Sequence, residues 1–174
     1  MSAFGLCITV TDDAIRSVVR ALVSSDSTSD SLFSFQEGDA WRPLRSHDVS
    51  SYIATRAGGH FTAKEFRTWN ATVLMALLLA NADPVPTARS RKSVVTAAVR
   101  GVAYWLGDTP AVARGSYIDP RVIDRYTSDG QLAAIPRLPA LLPAAAEAEI
   151  AVAALLSSDA VEAGAADGPH ACRT

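Results

Sequence analysis

FTAKEFRTWNATVLMALLLANADP, residues 61–84, decides the fold. Thr62 and Glu65 stand three positions apart, the spacing at which each side chain satisfies the other's orphaned backbone N–H at a helix start. The helix predicted from that box opens at Thr62 and runs to about Asn81, before Asp83-Pro84. Its apolar stretch, Val73 to Ala80, is too short to cross a bilayer, which takes about 20 residues. Pro84, Pro86 and Thr87 make the turn that follows. SRKSVVTAAVRGVAYWLG, residues 90–107, is a second helix, with Ser90 as its cap and Gly107 as its stop. Val94, Val95, Ala98, Val102 and Trp105 fall on its apolar side.

The rest of the chain is punctuated in the same way. Thr109-Pro110 and Asp119-Pro120 each open a short helix with proline at the first position, and Gly130 ends the second. IPRLPALLP is broken by prolines, and PAAAEAEIAVAALLSS, residues 143–158, reads as a final helix. From Asp159 the chain is rich in Ala, Gly and Asp and is expected to fray. On the other side, LCITV (residues 6–10) reads as a short strand, and Thr11 or Asp12 caps a helix to about Ser24. Ile15, Val18, Val19 and Leu22 lie along one face of that helix. LFSFQ and WRPLR flank EGDA as the arms of a small hairpin, with Pro43 confining the second arm to an edge. Ser46 caps a helix that ends at Gly58-Gly59. The fold class predicted is mainly α with a small β remnant near the N-terminus. One domain spans residues 1–158, and residues 159–174 form a flexible tail.

The 174 residues are enough for one domain with a real core, and 49% hydrophobic with 20% charged residues is ordinary for a globular chain. Cys7 and Cys172 make no metal-ligand spacing and no disulfide framework, and no secretory signal is visible. A reducing cytoplasm is the expected location. Net charge is −2, but its distribution is uneven. Residues 1–41 carry two basic and six acidic side chains, residues 42–126 twelve and six, and residues 127–174 two and six. Local field attracts a polyanion, so the basic middle admits nucleic acid where the total argues against it. Scattered solvated arginines fit the same count equally well. No glycine-rich phosphate loop, His-Glu-x-x-His or paired-cysteine motif is present, so no metal or other cofactor is expected.

RGSYIDPRVIDRY, residues 114–126, places Tyr117 between a basic small-residue turn and an Asp-Pro. On composition alone Tyr117 reads as a packing tyrosine, and Arg67 as a helix-surface arginine. Tyr126 lies inside the following helix and reads as packing. Trp69, Trp105, Phe61 and Phe66 sit at helical or capping spacings and read as core.

FTAKEFRTWNATVL followed by VAYWLGDTPAVARGSYIDPRVIDRY resembles the C-terminal catalytic region of the type IB DNA topoisomerases, in the bacterial and poxvirus-like branch. Nearly all of residues 6–156 can be placed on that pattern. The resemblance implies that Tyr117 attacks a phosphodiester of double-stranded DNA, expels the 5′ oxygen and forms a 3′-phosphotyrosyl bond. Supercoils then relax by swivelling before the bond is reversed, without ATP or metal. A phenol with a pKa near ~10 needs cations to serve as a nucleophile. The resemblance places Arg67 as one of two phosphate-clamping arginines, where a planar bidentate donor suits the oxygens. It places Asp108, nine residues before the tyrosine, where the family carries a His or Asn. An ionised Asp there repels a phosphate oxygen and has no proton to donate. Lys64, Arg89, Arg91, Lys92, Arg114 and Arg121 are the candidate DNA contacts.

The family's second arginine and its general-acid lysine precede the segment matching LCITVTDD. Lys64 and Lys92 are the lysines here, and neither falls at that place. The expectation is therefore a catalytic-domain fragment, impaired in activity, monomeric and nucleoid-associated. A missing general acid slows alkoxide expulsion by roughly 10²–10⁴-fold. The alternatives are a non-catalytic DNA-binding remnant, a tyrosine recombinase fragment, or an unrelated helical interaction protein. Against recombinases stands the absence of a His-x-x-Arg segment.

Overall fold

The computed structural model describes residues 12–25, 31–137 and 145–165, with backbone alone at 145 and 159–165. Seven helices and one hairpin occur among them. They are α1 (Asp13–Val23), β1 (Ser34–Glu37), β2 (Ala40–Pro43), α2 (Ser46–Ala57), α3 (Ala63–Ala80), α4 (Ala88–Leu106), α5 (Pro110–Ser116), α6 (Pro120–Asp129) and α7 (Ala145–Ala165). The chain divides into two compact units, Met1–Glu65 and Phe66–Thr174. The strand expected at residues 6–10 lies outside the described residues.

In the first unit, Asp12 caps α1 by accepting from the Ile15 N–H at 2.9 Å. The expected apolar stripe is present but only partly covered: Val19 and Leu22 are half-buried, whereas Ile15 and Val18 are exposed. β1 and β2 pair antiparallel with Ser34 opposite Pro43 and Glu37 opposite Ala40. Gly38, at φ 63°, makes the turn between them. The cap of α2 lies one residue earlier than expected. Arg45, not Ser46, occupies the N-cap, and the Asp48 carboxylate accepts its N–H at 2.8 Å.

The second unit holds every buried hydrophobic side chain among the described residues, from Ala71 to Leu155. α3 contributes Ala71, Val73, Met75, Ala76, Leu77, Leu79 and Ala80, and α4 contributes Val95, Ala98, Val99, Val102, Ala103 and Leu106. Residues 81–87 connect α3 to α4. A Cβ on Gly101 would sit 3.2 Å from Leu78 Cδ1, so the glycine makes room for the Leu78 side chain. The cap of α4 is Thr87 rather than Ser90. Thr87 Oγ1 accepts from the Ser90 N–H at 3.1 Å, and Ser90 Oγ accepts from the Thr87 N–H at 3.2 Å, so Ser90 is the third residue of a reciprocal box.

One expectation about the core changes. Phe66, Phe61 and Trp105 are exposed, and only Trp69 packs against the core. Burial on α3 begins at Ala71, past the helix's first two turns, so helical spacing alone overstates the reach of the core. Tyr126, by contrast, is 1% exposed. The final helix continues to Ala165 rather than stopping at Ser158.

Candidate active site

Arg67 is held by a well-defined helix start. Glu65 accepts the Thr62 N–H at 2.7 Å and the Thr62 hydroxyl as well. Those bonds, from the hydroxyl first, hold the Glu65 carboxyl below its usual range. Arg67 lies on the next residues of α3, its side chain 40% exposed.

Asp108 is placed by the end of α4. Gly107 adopts φ 69°, its N–H reaches the Tyr104 carbonyl at 3.2 Å, and the Asp108 N–H reaches back to the Ala103 carbonyl at 2.9 Å. This paired closure is a Schellman motif. It turns Asp108 toward α3, where Oδ2 accepts from Arg67 Nη2 at 2.7 Å. The same nitrogen donates to the Leu106 carbonyl at 2.6 Å. Arg67 therefore also caps the end of α4, a place where cations are favoured. Its Nη1 and Nε have no hydrogen-bond partner among the described residues.

Tyr117 ends α5, which Thr109 caps by accepting from the Val112 N–H at 3.3 Å. The Tyr117 and Ile118 N–H groups both reach the Ala113 carbonyl at 3.1 Å. Ile118 is buried, and Tyr117 is half-buried. The guanidinium carbon of Arg67 stands 5.0 Å from the centroid of the Tyr117 ring, within cation–π range. Arg67 of α3 thus meets two groups far from it in sequence, Asp108 of the α4–α5 turn and Tyr117 of the α5–α6 turn.

The candidate DNA contacts separate into two kinds. Lys64, Arg89, Lys92 and Arg114 are exposed. Arg91 turns inward, Nη1 donating to the Thr127 carbonyl at 2.6 Å and the Ser128 carbonyl at 2.9 Å, which closes the end of α6. Arg121 braces the start of α6. Its Nη2 meets Asp119 Oδ2 at 2.7 Å, its Nε meets Oδ1 at 3.1 Å, and Nη1 meets the Leu156 carbonyl of α7 at 2.9 Å. The Arg121 side-chain bonds hold the Asp119 carboxyl below its usual range. At ~1.5 Å per residue, Arg89 and Leu106 are roughly 25 Å apart along α4, so the basic start of that helix stands well away from Arg67.

Thr72 had no role in the sequence reading. It is 2% exposed, accepts the Asp119 N–H at 3.1 Å and lies 3.3 Å from the Tyr117 carbonyl. A mid-helix threonine ordinarily back-bonds within its own helix, as Thr72 also does to the Thr68 carbonyl at 2.9 Å, so no local signal marks it.

No helix among the described residues is long and apolar enough to cross a membrane, and none of them form a group of three or more metal-binding side chains. The fold and the site define a mainly helical domain in which a tyrosine stands against an arginine–carboxylate pair. The family described as eukaryotic DNA topoisomerase I, catalytic core, matches residues 7–132, and the chain belongs to that family. Membership makes it a DNA topoisomerase-like protein of the isomerase class, with DNA as the implied partner. No curated protein matches the chain.

Proposed function

We propose that this chain carries the nucleophile half of a type IB topoisomerase site acting on double-stranded DNA. The observation that carries the reading is the convergence of Arg67 on Tyr117, 5.0 Å from guanidinium carbon to ring centroid. Tyr117 Oη attacks the phosphorus and loses its proton to solvent. The bond from phosphorus to the 5′ oxygen breaks, and the departing oxygen takes up a proton. A 3′-phosphotyrosyl bond holds the strand end while the duplex swivels, and the 5′-hydroxyl then reverses the step. The phosphotyrosine conserves the bond energy, so rejoining needs no ATP. Arg67 has Nη1 and Nε to offer the nonbridging oxygens, on which charge gathers in the transition state. On the form of its two motif segments we place the chain with the bacterial and poxvirus-like branch, as a monomer on the cytoplasmic nucleoid.

Asp108 favours a second reading, a non-catalytic DNA-binding module. Its carboxylate already holds Arg67 at 2.7 Å, in the manner a phosphate would. DNA binding that weakens steeply with salt accompanies either reading.

Covalent capture separates them. A duplex with a 5′-bridging phosphorothiolate expels its leaving group without an acid, so it reads the nucleophile alone. A protein–DNA adduct that is lost in Tyr117→Phe is the expected result. Salt-sensitive binding with no adduct would sink the enzyme reading and leave the second.

A further inference from the structure

Thr72 is a buried polar side chain of the second unit, 2% exposed. Its hydroxyl carries one hydrogen and two acceptor lone pairs. Asp119 N–H donates into it at 3.1 Å, and its own hydrogen faces two carbonyls, Thr68 at 2.9 Å and Tyr117 at 3.3 Å. A group this deeply buried stays hydrogen-bonded because leaving it unsatisfied is costly. The bonds fall on both sides of Ile118, whose buried side chain pins the same turn. They tie the backbone that carries Tyr117 to α3, the helix that also carries Arg67. Asp119 is in turn gripped by Arg121, which reaches the Leu156 carbonyl on α7. The turn bearing the nucleophile is thus fastened from two helices, and Thr72 is the fastening on the Arg67 side.

We propose that Thr72 is a positioning residue for Tyr117: its hydroxyl sets the α5–α6 turn so that the phenol stays registered against Arg67. The proposal rests on the topoisomerase reading for its catalytic consequence but not for the geometry itself. Thr72 touches no DNA and is not a catalytic residue. It acts on where Tyr117 stands, so its loss lowers the rate of attack and leaves DNA affinity alone. Misplacement by ~1 Å is enough to cost about 10²-fold in a reaction of this kind.

The test uses the full chain as Thr72→Val, which keeps the shape and removes the hydroxyl, and as Thr72→Ser, which keeps the hydroxyl. Each is labelled with 3-fluorotyrosine, and the four tyrosine ¹⁹F signals are assigned with single Tyr→Phe variants. In Thr72→Val the Tyr117 signal is expected to shift or broaden while the Tyr104 and Tyr52 signals hold. The adduct rate at saturating phosphorothiolate DNA should fall at least about tenfold with Kd unchanged. Thr72→Ser should restore the Tyr117 signal and bring the rate back to within about threefold of the parent. A Tyr117 signal in Thr72→Val that overlays the parent's overturns the proposal. So does a Thr72→Ser chain that fails to restore it. All four signals moving together, or loss of cooperative unfolding in Thr72→Val, would mean that Thr72 serves only the core. If the parent chain forms no adduct, the topoisomerase reading fails, and the fluorine comparison still decides whether Thr72 positions Tyr117.

Discussion

Arg67 stands between two anions, the Asp108 carboxylate already on it and the DNA phosphate it would clamp. Magnitude decides which one wins. Side chains 40% and 28% exposed form a pair worth about 0–1 kcal/mol net in water. Hydrogen bonds from an arginine to a charged oxygen contribute about 1.5–3 kcal/mol each, and a phosphate accepts from the Nη1 and Nε that Asp108 leaves open. On the proposed function, a phosphate would bind against a modest local penalty, with Asp108 dampening Arg67 without disabling it. Asp108→Asn removes the competing charge and should raise the adduct rate on phosphorothiolate DNA. Arg67→Ala should lower that rate by about 10²–10³-fold, the usual cost of losing one transition-state donor. An adduct rate that falls in Asp108→Asn would show that the carboxylate assists the site instead.

Caps place the site at the scale of elements. Gly107 has φ 69° and starts the turn that delivers Asp108 to Arg67. An L side chain there meets the left-handed penalty, so Gly107→Ala should cost about 1–2 kcal/mol in chemical denaturation. It should also loosen the Arg67–Asp108 contact. Asp119 caps α6 beside the turn that carries Tyr117, and Arg121 holds its carboxyl below the ordinary value of 3.8. A carboxyl lowered on folding contributes stability that is present above 3.8 and lost as pH falls through the folded-state pKa. Thermal unfolding followed from pH 6 downward should therefore show an acid loss below about 4 that is smaller in Asp119→Asn. The caps also show how far local reading goes. Thr62, Thr109 and Asp119 were legible, and Asp12 as one of two candidates, because each precedes a proline, an acidic first turn or an apolar run. Thr87 was not, because a serine rather than a glutamate completes its box.

For the whole molecule, the distribution of burial sets which part is self-sufficient. All described buried hydrophobics lie between Ala71 and Leu155, and α1 and α2 bury none. Residues 61–174 keep the Thr62–Glu65 bonds, that entire core and the Arg67–Asp108–Tyr117 cluster. This segment should unfold cooperatively, with a Tm close to that of the full chain and an undiminished Arg67 contact to Tyr117. A segment that fails to fold would show that residues 1–60 complete the core. The mainly helical fold and the hairpin were readable because hydrophobic period and turn chemistry are local patterns.

What the sequence by itself determined is the set of helices and where most of them stop. Proline, glycine and capping residues act within a few positions, so their physics is written along the chain. Only the tertiary structure decided which polar groups meet. Arg91 and Arg121 look like free cations in the sequence, yet each is turned onto backbone carbonyls 35–37 residues away. Arg67 and Asp108 are 41 residues apart, and Thr72 bonds Asp119 across 47. Those pairings follow from how α3 packs in the core. The cost of leaving a buried hydroxyl, N–H or carbonyl unpaired then selects the partner that packing brings within reach.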